Sequence, residues 1–311
     1  MSTDRAFESA QPIRVRTRGV SLSARAFGPK GAPTLLFVHG YPDTSAVWSD
    51  VVARLADRYR ILTYDVRGAG ASDRPKDVAA YRFPELVADV HAVIDALAPN
   101  TRVHLVGHDW GSIQGWEFVS SEGAEKFASF TSISGPCLDH FGWLLREAVG
   151  RGKSERVESP RGERMRILTS QLRMSWYVSL LTQPRLAGAL WRRGLAKGFA
   201  KDLERLEGVS PSATHPAATL AEDGAFGAML YAANMPERAR SPRPDPSTEV
   251  PVQLVVAELD RFVAPTVPEV ARSYAPDLRV SRIDAGHWCI RSRAADVANL
   301  VDRFVRDVEA R

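Results

Sequence analysis

Apolar residues along this chain fall into short runs separated by longer amphipathic stretches. Each short run is rich in Val, Ile, Leu or Phe and has the length of a strand. These runs lie at residues 34–38, 61–64, 102–106, 130–134, 252–256 and 278–283. The longer stretches have apolar residues at helical spacing, most clearly between Leu86 and Leu97, after Pro84. Strands that alternate with helices in this way predict a parallel sheet covered by helices on both faces.

The alternation is interrupted once. From about residue 140 to residue 235 the pattern is helical, and a proline-rich connector follows at residues 241–246. We therefore predict an α/β core in two pieces, residues 1–138 and 241–311, with a helical cap at residues 139–240 between them. The apolar positions expected inside the cap are Trp143, Leu144, Leu168, Leu172, Trp176, Leu180, Leu186, Leu190 and Trp191.

Composition narrows the function classes only a little. The 311 residues are 44% hydrophobic and 25% charged, which is ordinary for a globular protein, and the net charge is +4. No basic run is interleaved with aromatic residues, so a nucleic-acid partner is not expected. Cys137 and Cys289 cannot form a disulfide framework, and neither a secretory signal nor a transmembrane segment is apparent, so we expect a cytoplasmic protein. The sequence does not decide the oligomeric state, and a homodimer is one possibility.

The run Gly107-His108-Asp109-Trp110-Gly111 stands between a predicted strand and a predicted helix. It has the spacing of a nucleophile elbow, Gly-x-Ser-x-Gly, in which a strained turn pushes one side chain into the active site. The glycines leave room for that turn. An aspartate at the tip would attack carbon by displacement and form an alkyl ester on itself, whereas a serine would transfer acyl groups. The alternative is an Asp109 that only caps the following helix.

Two further side chains follow late strands. Asp260 comes after the strand at residues 252–256, and His287 comes after the strand at residues 278–283. Because catalytic residues gather at the carboxyl ends of parallel strands, we expect both of them near Asp109. His287 would activate water against the ester, and Asp260 would hold the tautomer of His287. Glu258 and Asp139 are the rivals for the role of Asp260.

An oxyanion hole is also predicted. One backbone N–H would come from Trp110, after the nucleophile, and the other from Tyr41 in the loop at residues 39–42. Pro42 would shape that loop, with a cis peptide bond as one means. The residues expected to contact the substrate are His39, Pro42, Trp176 and Trp288.

The chain resembles the epoxide hydrolases of the α/β-hydrolase fold over nearly its full length. His39-Gly40-Tyr41-Pro42 is similar to their His-Gly-x-Pro loop, residues 65–73 to their Asp-x-Arg-Gly-x-Gly-x-Ser segment, and residues 107–111 to their Gly-His-Asp-Trp-Gly elbow. The resemblance implies a mostly parallel sheet flanked by helices, with a helical cap inserted before the last strands. Residues 112–116 and 130–139 look like a bacterial subgroup in which this domain is sometimes fused to a reductase-like domain.

The resemblance also implies the chemistry. The family holds and protonates the epoxide oxygen with two cap tyrosines, and Tyr177 and Tyr231 occupy the similar positions, although the family usually has Trp-Tyr-Arg where this chain has Leu230-Tyr231-Ala232. We expect a small apolar epoxide, which includes lipid-derived ones, to be opened to a diol without a cofactor or metal.

Two other classes of function are kept, a dehalogenase of either of two types and a binding module. A haloalkane dehalogenase would use the same Asp109 and could bind the halide with the indole N–H of Trp110, but its usual Asn is replaced here by Tyr41. A fluoroacetate-type dehalogenase would need arginines where Trp110 and Gly111 stand. A non-catalytic binding module would need no catalytic triad.

Overall fold

A computed structural model describes residue 7 and residues 9–152, 154–157 and 159–311. Part of the N-terminal stretch, in which we expect no secretory signal, lies outside these described residues. Eight strands form one sheet in the order β1-β2-β4-β3-β5-β6-β7-β8. The bounds are β1 Ile13–Thr17, β2 Val20–Phe27, β3 Thr34–Val38, β4 Arg60–Tyr64, β5 Val103–His108, β6 Phe127–Ile133, β7 Val252–Ala257 and β8 Leu278–Ile283.

From β4 to β8 the neighbouring strands are parallel, as the alternating pattern predicts. The hairpin of β1 and β2 was not predicted; its strands are antiparallel to each other, and β2 is antiparallel to β4. In β1 only Val15 is buried, and arginines occupy the alternate positions on either side of it. Such a short edge strand has few apolar residues from which it could be detected.

Helices cover both faces of the sheet. The stripe that begins at Leu86 is confirmed as the buried side of α2, which starts with Pro84 in its first turn. The helices are α1 Ser49–Leu55, α2 Phe83–Leu97, α3 Trp110–Val119, α4 Leu138–Ala148, α5 Arg161–Met174, α6 Val178–Leu181, α7 Pro184–Leu190, α8 Ala196–Glu207, α9 Leu220–Arg240, α10 Val267–Ala271, α11 Cys289–Ser292 and α12 Ala294–Glu309. A π-helical turn, Trp191–Leu195, joins α7 to α8.

Between β6 and β7 the described residues, which leave out 153 and 158, contain helices α4 to α9 and no strand. The division into core and cap at residues 138/139 and 240/241 stays a prediction. Leu144, Leu168 and Trp191 are buried, as expected of the inside of a cap. Four other positions expected there are exposed: Leu172 on α5, Trp176 between α5 and α6, and Leu186 and Leu190 on α7.

A cluster of four charged side chains joins the two ends of this helical segment to helix α3. The Nε and backbone N–H of Arg243 lie 2.7 Å and 2.8 Å from the carboxylate of Asp139. The guanidinium of Arg238 lies 2.9 Å from Glu117 on α3. All four side chains are at most one-fifth exposed. We call these residues the hinge cluster.

Among the described residues, no helix combines the length and the apolar character needed to cross a bilayer. Cys137 and Cys289 are both buried free thiols.

Candidate active site

The nucleophile elbow is built as the glycine spacing requires. Asp109 stands between β5 and α3 with a φ of 50° and a ψ of −119°, a strained conformation for a residue with a side chain. A Cβ on Gly111 would overlap the carbonyl oxygen of Val38, and one on Gly107 would lie 2.5 Å from the carbonyl oxygen of Gly111. A Cβ on Gly135 would overlap the carbonyl oxygen of Asp109 itself. The surrounding backbone therefore fits closely around a turn that holds the carboxylate at the carboxyl end of the sheet.

Three predicted residues come together at this edge. His287 Nδ1 lies 3.0 Å from Asp260 Oδ2, and His287 Nε2 lies 3.6 Å from Asp109 Oδ2. The backbone N–H groups of Phe262 and Val263 donate to Asp260 Oδ1 at 2.7 Å and 3.0 Å, which fixes that carboxylate. All three catalytic candidates are buried.

The electrostatics of the three groups depend on one another. Burial disfavours the imidazolium, but the carboxylates of Asp260 and Asp109 outweigh it and raise the pKa of His287 well above its ordinary value. Burial likewise opposes the charged form of Asp260, yet His287 and the Phe262 N–H lower the pKa of this carboxyl. The geometry therefore favours a protonated His287 between two carboxylates.

The rivals of Asp260 lie elsewhere. Glu258 is exposed and pairs with Arg282 at 3.5 Å. Asp139 belongs to the hinge cluster.

One side of the predicted oxyanion hole contacts the nucleophile. The backbone N–H of Tyr41 donates to Asp109 Oδ1 at 2.7 Å. A Cβ on Gly40 would overlap that same oxygen, so the loop approaches the carboxylate as closely as it can. Trp110 follows Asp109 as the first residue of α3, and its fully buried ring packs on Tyr231 with the centroids 4.8 Å apart. The role of the Trp110 amide stays a prediction.

The two tyrosines line the same cavity as Asp109. Their ring centroids lie 6.4 Å apart, Tyr177 just before α6 and Tyr231 on α9. Burial, with the charge of Asp109 as a further cause, raises the pKa of both phenols, so both stay protonated at neutral pH. Uncharged phenols next to a carboxylate are suitable proton donors in an apolar site.

The cavity has a volume of about 310 Å³ and extends from Asp109 between α4, α5 and α9. Its lining is mainly apolar, including Ile113, Leu138, Phe141, Leu145, Leu168 and Leu172. Arg238 is the cationic side chain in this lining, and its guanidinium is bound by Glu117. The cavity is therefore suited to an uncharged apolar molecule.

The four residues expected to contact the substrate do not line this cavity. His39 accepts a hydrogen bond at Nε2 from the Val66 N–H at 2.9 Å, so it holds the loop of Tyr41. The Tyr41–Pro42 peptide bond is cis. Trp176 is 76% exposed. For these residues the expected substrate contact stays a prediction that the lining of this cavity does not support.

Trp288, the fourth of them, is a neighbour of the histidine instead. Its ring centroid lies 4.9 Å from that of His287, and its indole N–H donates to the buried carboxylate of Asp43 at 2.8 Å. Asp43 also contacts His215, at 2.8 Å. Trp176 and Trp288 adjoin Tyr177 and His287 in sequence, but neither tryptophan lines the cavity: the first is exposed and the second is bound to Asp43.

Sequence reasoning missed Phe262. This side chain lines the cavity, and its ring centroid lies 4.9 Å from His287 and 5.4 Å from Tyr177. An aromatic residue two positions after Asp260, in a loop, was the available signal.

Known proteins are similar to this chain in sequence and in fold. A protein from Mycobacterium tuberculosis named "Probable oxidoreductase EphD" is 36% identical over 291 residues, which cover 92% of this chain. The chain spans about half the length of that relative, since the match covers 48% of it. "Epoxide hydrolase 1" of Caenorhabditis elegans is 31% identical over 166 residues, 53% of this chain and 35% of that protein.

The fold is likewise shared. The crystal structure of a Bacillus megaterium epoxide hydrolase with an inhibitor superposes with a TM-score of 0.75 at 21% identity, covering 94% of this chain and all of the other. The pattern of the alpha/beta hydrolase fold family matches residues 33–290. The predicted fold class and the resemblance to epoxide hydrolases are therefore confirmed, and the chain belongs to the alpha/beta hydrolase fold family.

Proposed function

We propose that this protein opens an apolar epoxide to a vicinal diol through a covalent ester on Asp109. The observation that carries the proposal is the cavity lined by a carboxylate at a strained elbow and by two phenols, the buried Tyr231 and the partly buried Tyr177. A displacement at carbon needs a nucleophile on one side and, for an epoxide, an acid for the oxygen on the other.

In the first step Asp109 Oδ2 forms a bond to a ring carbon while the ring C–O bond breaks. The oxygen leaves as an alkoxide and takes a proton from Tyr177 or Tyr231. Oδ1, which accepts the hydrogen bond from the Tyr41 N–H, remains as the carbonyl oxygen of the ester. Hydrogen bonds from both phenols would stabilise the alkoxide as it forms.

Ester formation removes the negative charge of Asp109. One of the two carboxylates that keep His287 protonated is then gone, so the pKa of His287 falls. The proton that His287 releases restores the tyrosine hydroxyl through solvent. The neutral imidazole, oriented by Asp260, is then a base.

In the second step His287 takes a proton from water, and the water oxygen attacks Cγ of Asp109. Negative charge develops on Oδ1 next to the Tyr41 N–H. The ester C–O bond then breaks, and the leaving alkoxide takes the proton of the new Asp109 carboxyl group and departs as the diol. The cycle ends with Asp109 ionised and His287 protonated.

An isotope experiment tests this route. A single turnover in ¹⁸O-labelled water with excess enzyme should leave the label in Asp109 and not in the diol, because water attacks the ester carbonyl. Label in the diol after the first turnover would show direct attack of water on the epoxide. Asp109→Ala should form no diol, and His287→Gln should accumulate the ester, visible as added mass on the intact protein.

A further inference from the structure

Tyr41 belongs to the core by its backbone and to the helical segment by its side chain. Its N–H contacts Asp109 Oδ1, while its hydroxyl donates to the carbonyl oxygen of Gly224 on α9 at 3.0 Å. The same hydroxyl accepts a hydrogen bond from the indole N–H of Trp191 in the π-helical turn. One residue therefore joins the nucleophile to two elements that lie above it.

Glycines on one face of α9 leave room for the rings of Tyr41 and Trp191. Gly224, Gly227 and Tyr231 are three and four residues apart, so they share one side of the helix. A Cβ on Gly227 would lie 2.6 Å from Cδ2 of Tyr41, and one on Gly224 would overlap the ring of Trp191. The Tyr41 ring also lies 5.2 Å, between centroids, from the proposed proton donor Tyr231.

We propose that Tyr41 is a positioning residue. It couples the packing of α9 and Trp191 against the core to the position of the N–H that Tyr41 contributes to the oxyanion hole. An oxyanion donor acts only within a narrow range of distances, about 2.7–3.1 Å. In this proposal the hydrogen bonds of its side chain with Gly224 and Trp191 help to hold the N–H of Tyr41 in that range. The inference rests on the proposed function, and it adds that ester hydrolysis requires α9 and Trp191 to be packed on Tyr41.

Tyr41→Phe tests the coupling because it keeps the amide, the ring and the contact with Gly227. Single-turnover kinetics should show ester hydrolysis slowed about tenfold, less than the ~10²–10³ loss when an oxyanion donor is removed. Ester formation should change less than about threefold, so the alkyl-enzyme accumulates in intact-protein mass spectra. Trp191→Phe removes only one of the two hydrogen bonds of the Tyr41 hydroxyl and should slow ester hydrolysis less. The double variant should lose little more than Tyr41→Phe, because Tyr41→Phe already removes both bonds.

Two matched controls separate positioning from stability. Tyr59→Phe removes a buried hydroxyl that lies 2.8 Å from Asp302, and Trp143→Phe removes an indole N–H that donates to Arg243 O at 2.9 Å. Both should leave the ratio of the two rate constants unchanged. If Tyr41→Phe lowers the rate constants of ester formation and ester hydrolysis by the same factor, as a loss of folded protein would, the coupling is refuted.

A measurement without substrate keeps the test independent of the proposed reaction. In hydrogen–deuterium exchange, Tyr41→Phe should increase exchange in peptides covering residues 38–44 and 220–231 together, and Tyr59→Phe should not. Unchanged exchange in residues 38–44 would overturn the coupling. Coupled exchange in a protein that forms neither diol nor ester would instead refute the proposed function while the coupling stands.

Discussion

Nε2 of His287 lies 3.6 Å from Oδ2 of Asp109, on the opposite side of the imidazole from Asp260. The histidine is thus in contact with the group whose charge the proposed first step removes. This contact makes the protonation of His287 depend on the chemical state of Asp109.

The first prediction follows from that contact. Asp109→Asn imitates the neutral ester, so the pKa of His287 should fall below its value in the wild type. An NMR titration of the imidazole nitrogens measures it, with the exposed Asp95→Asn as the control. An unchanged pKa would mean that Asp260 alone holds the proton.

The same contact predicts a pH dependence of stability. The carboxylates stabilise the imidazolium, so their contribution is fully present below the unfolded pKa of about 6.5 and is lost as pH rises through the higher folded pKa. The difference in unfolding free energy between wild type and Asp109→Asn should therefore shrink with rising pH. Denaturant unfolding at several pH values checks the sign, and a difference that grows with pH would contradict it.

Removing either phenol should slow the first step. Tyr177→Phe and Tyr231→Phe should each reduce the rate of ester formation by about 10- to 100-fold, and the double variant by about 10³-fold or more, the scale of acid catalysis. Ester hydrolysis should change little, because neither hydroxyl contacts His287 in the proposed second step. Rapid mixing with excess enzyme separates the two rates, and an equal loss in both steps would argue against proton donation.

The elbow glycines should be intolerant of a side chain. Gly111→Ala would force a Cβ into the carbonyl of Val38, and we expect a loss of about 3 kcal/mol or more in unfolding free energy. Gly162→Ala is the control, since a Cβ there meets no atom within 4 Å and the residue lies in α5. That variant should gain about 0.5–1 kcal/mol. Equal stability of the two variants would show that the turn can relax.

The hinge cluster should contribute more to stability than a surface ion pair. Arg243→Ala leaves the buried Asp139 without its closest partner, and a loss of about 3 kcal/mol is expected. Arg166→Ala breaks a solvent-exposed pair with Glu269 and should cost under about 1 kcal/mol. Thermal and denaturant unfolding compare them, and similar losses would mean that water reaches the cluster.

Residues that come together because of the course of the backbone could be predicted from the sequence. Asp109, Asp260 and His287 each follow a strand, and parallel strands bring their carboxyl ends to one edge, so their proximity could be predicted. The direction in which a side chain points could not be predicted. Trp176 adjoins Tyr177 in sequence, yet one is mainly exposed and the other lines the cavity.

Contacts between distant segments were beyond sequence reasoning as well. The ring of Phe262 against His287 and the hydroxyl of Tyr41 on Gly224 depend on tertiary packing across the cavity, which no local spacing reports. The cytoplasmic location and the homodimer stay predictions.

Helix α3 directly follows Asp109, the proposed nucleophile, and carries Glu117 of the hinge cluster near its last turn. For protein engineering, the helical segment is consequently not an interchangeable module. A segment transplanted from another hydrolase would replace Asp139 and Arg238, and it would leave the buried Glu117 and Arg243 without these partners unless it brought counterparts of both. The boundaries of a chimera should therefore lie outside all four residues of the hinge cluster, so that the transplanted helices keep their own ion pairs.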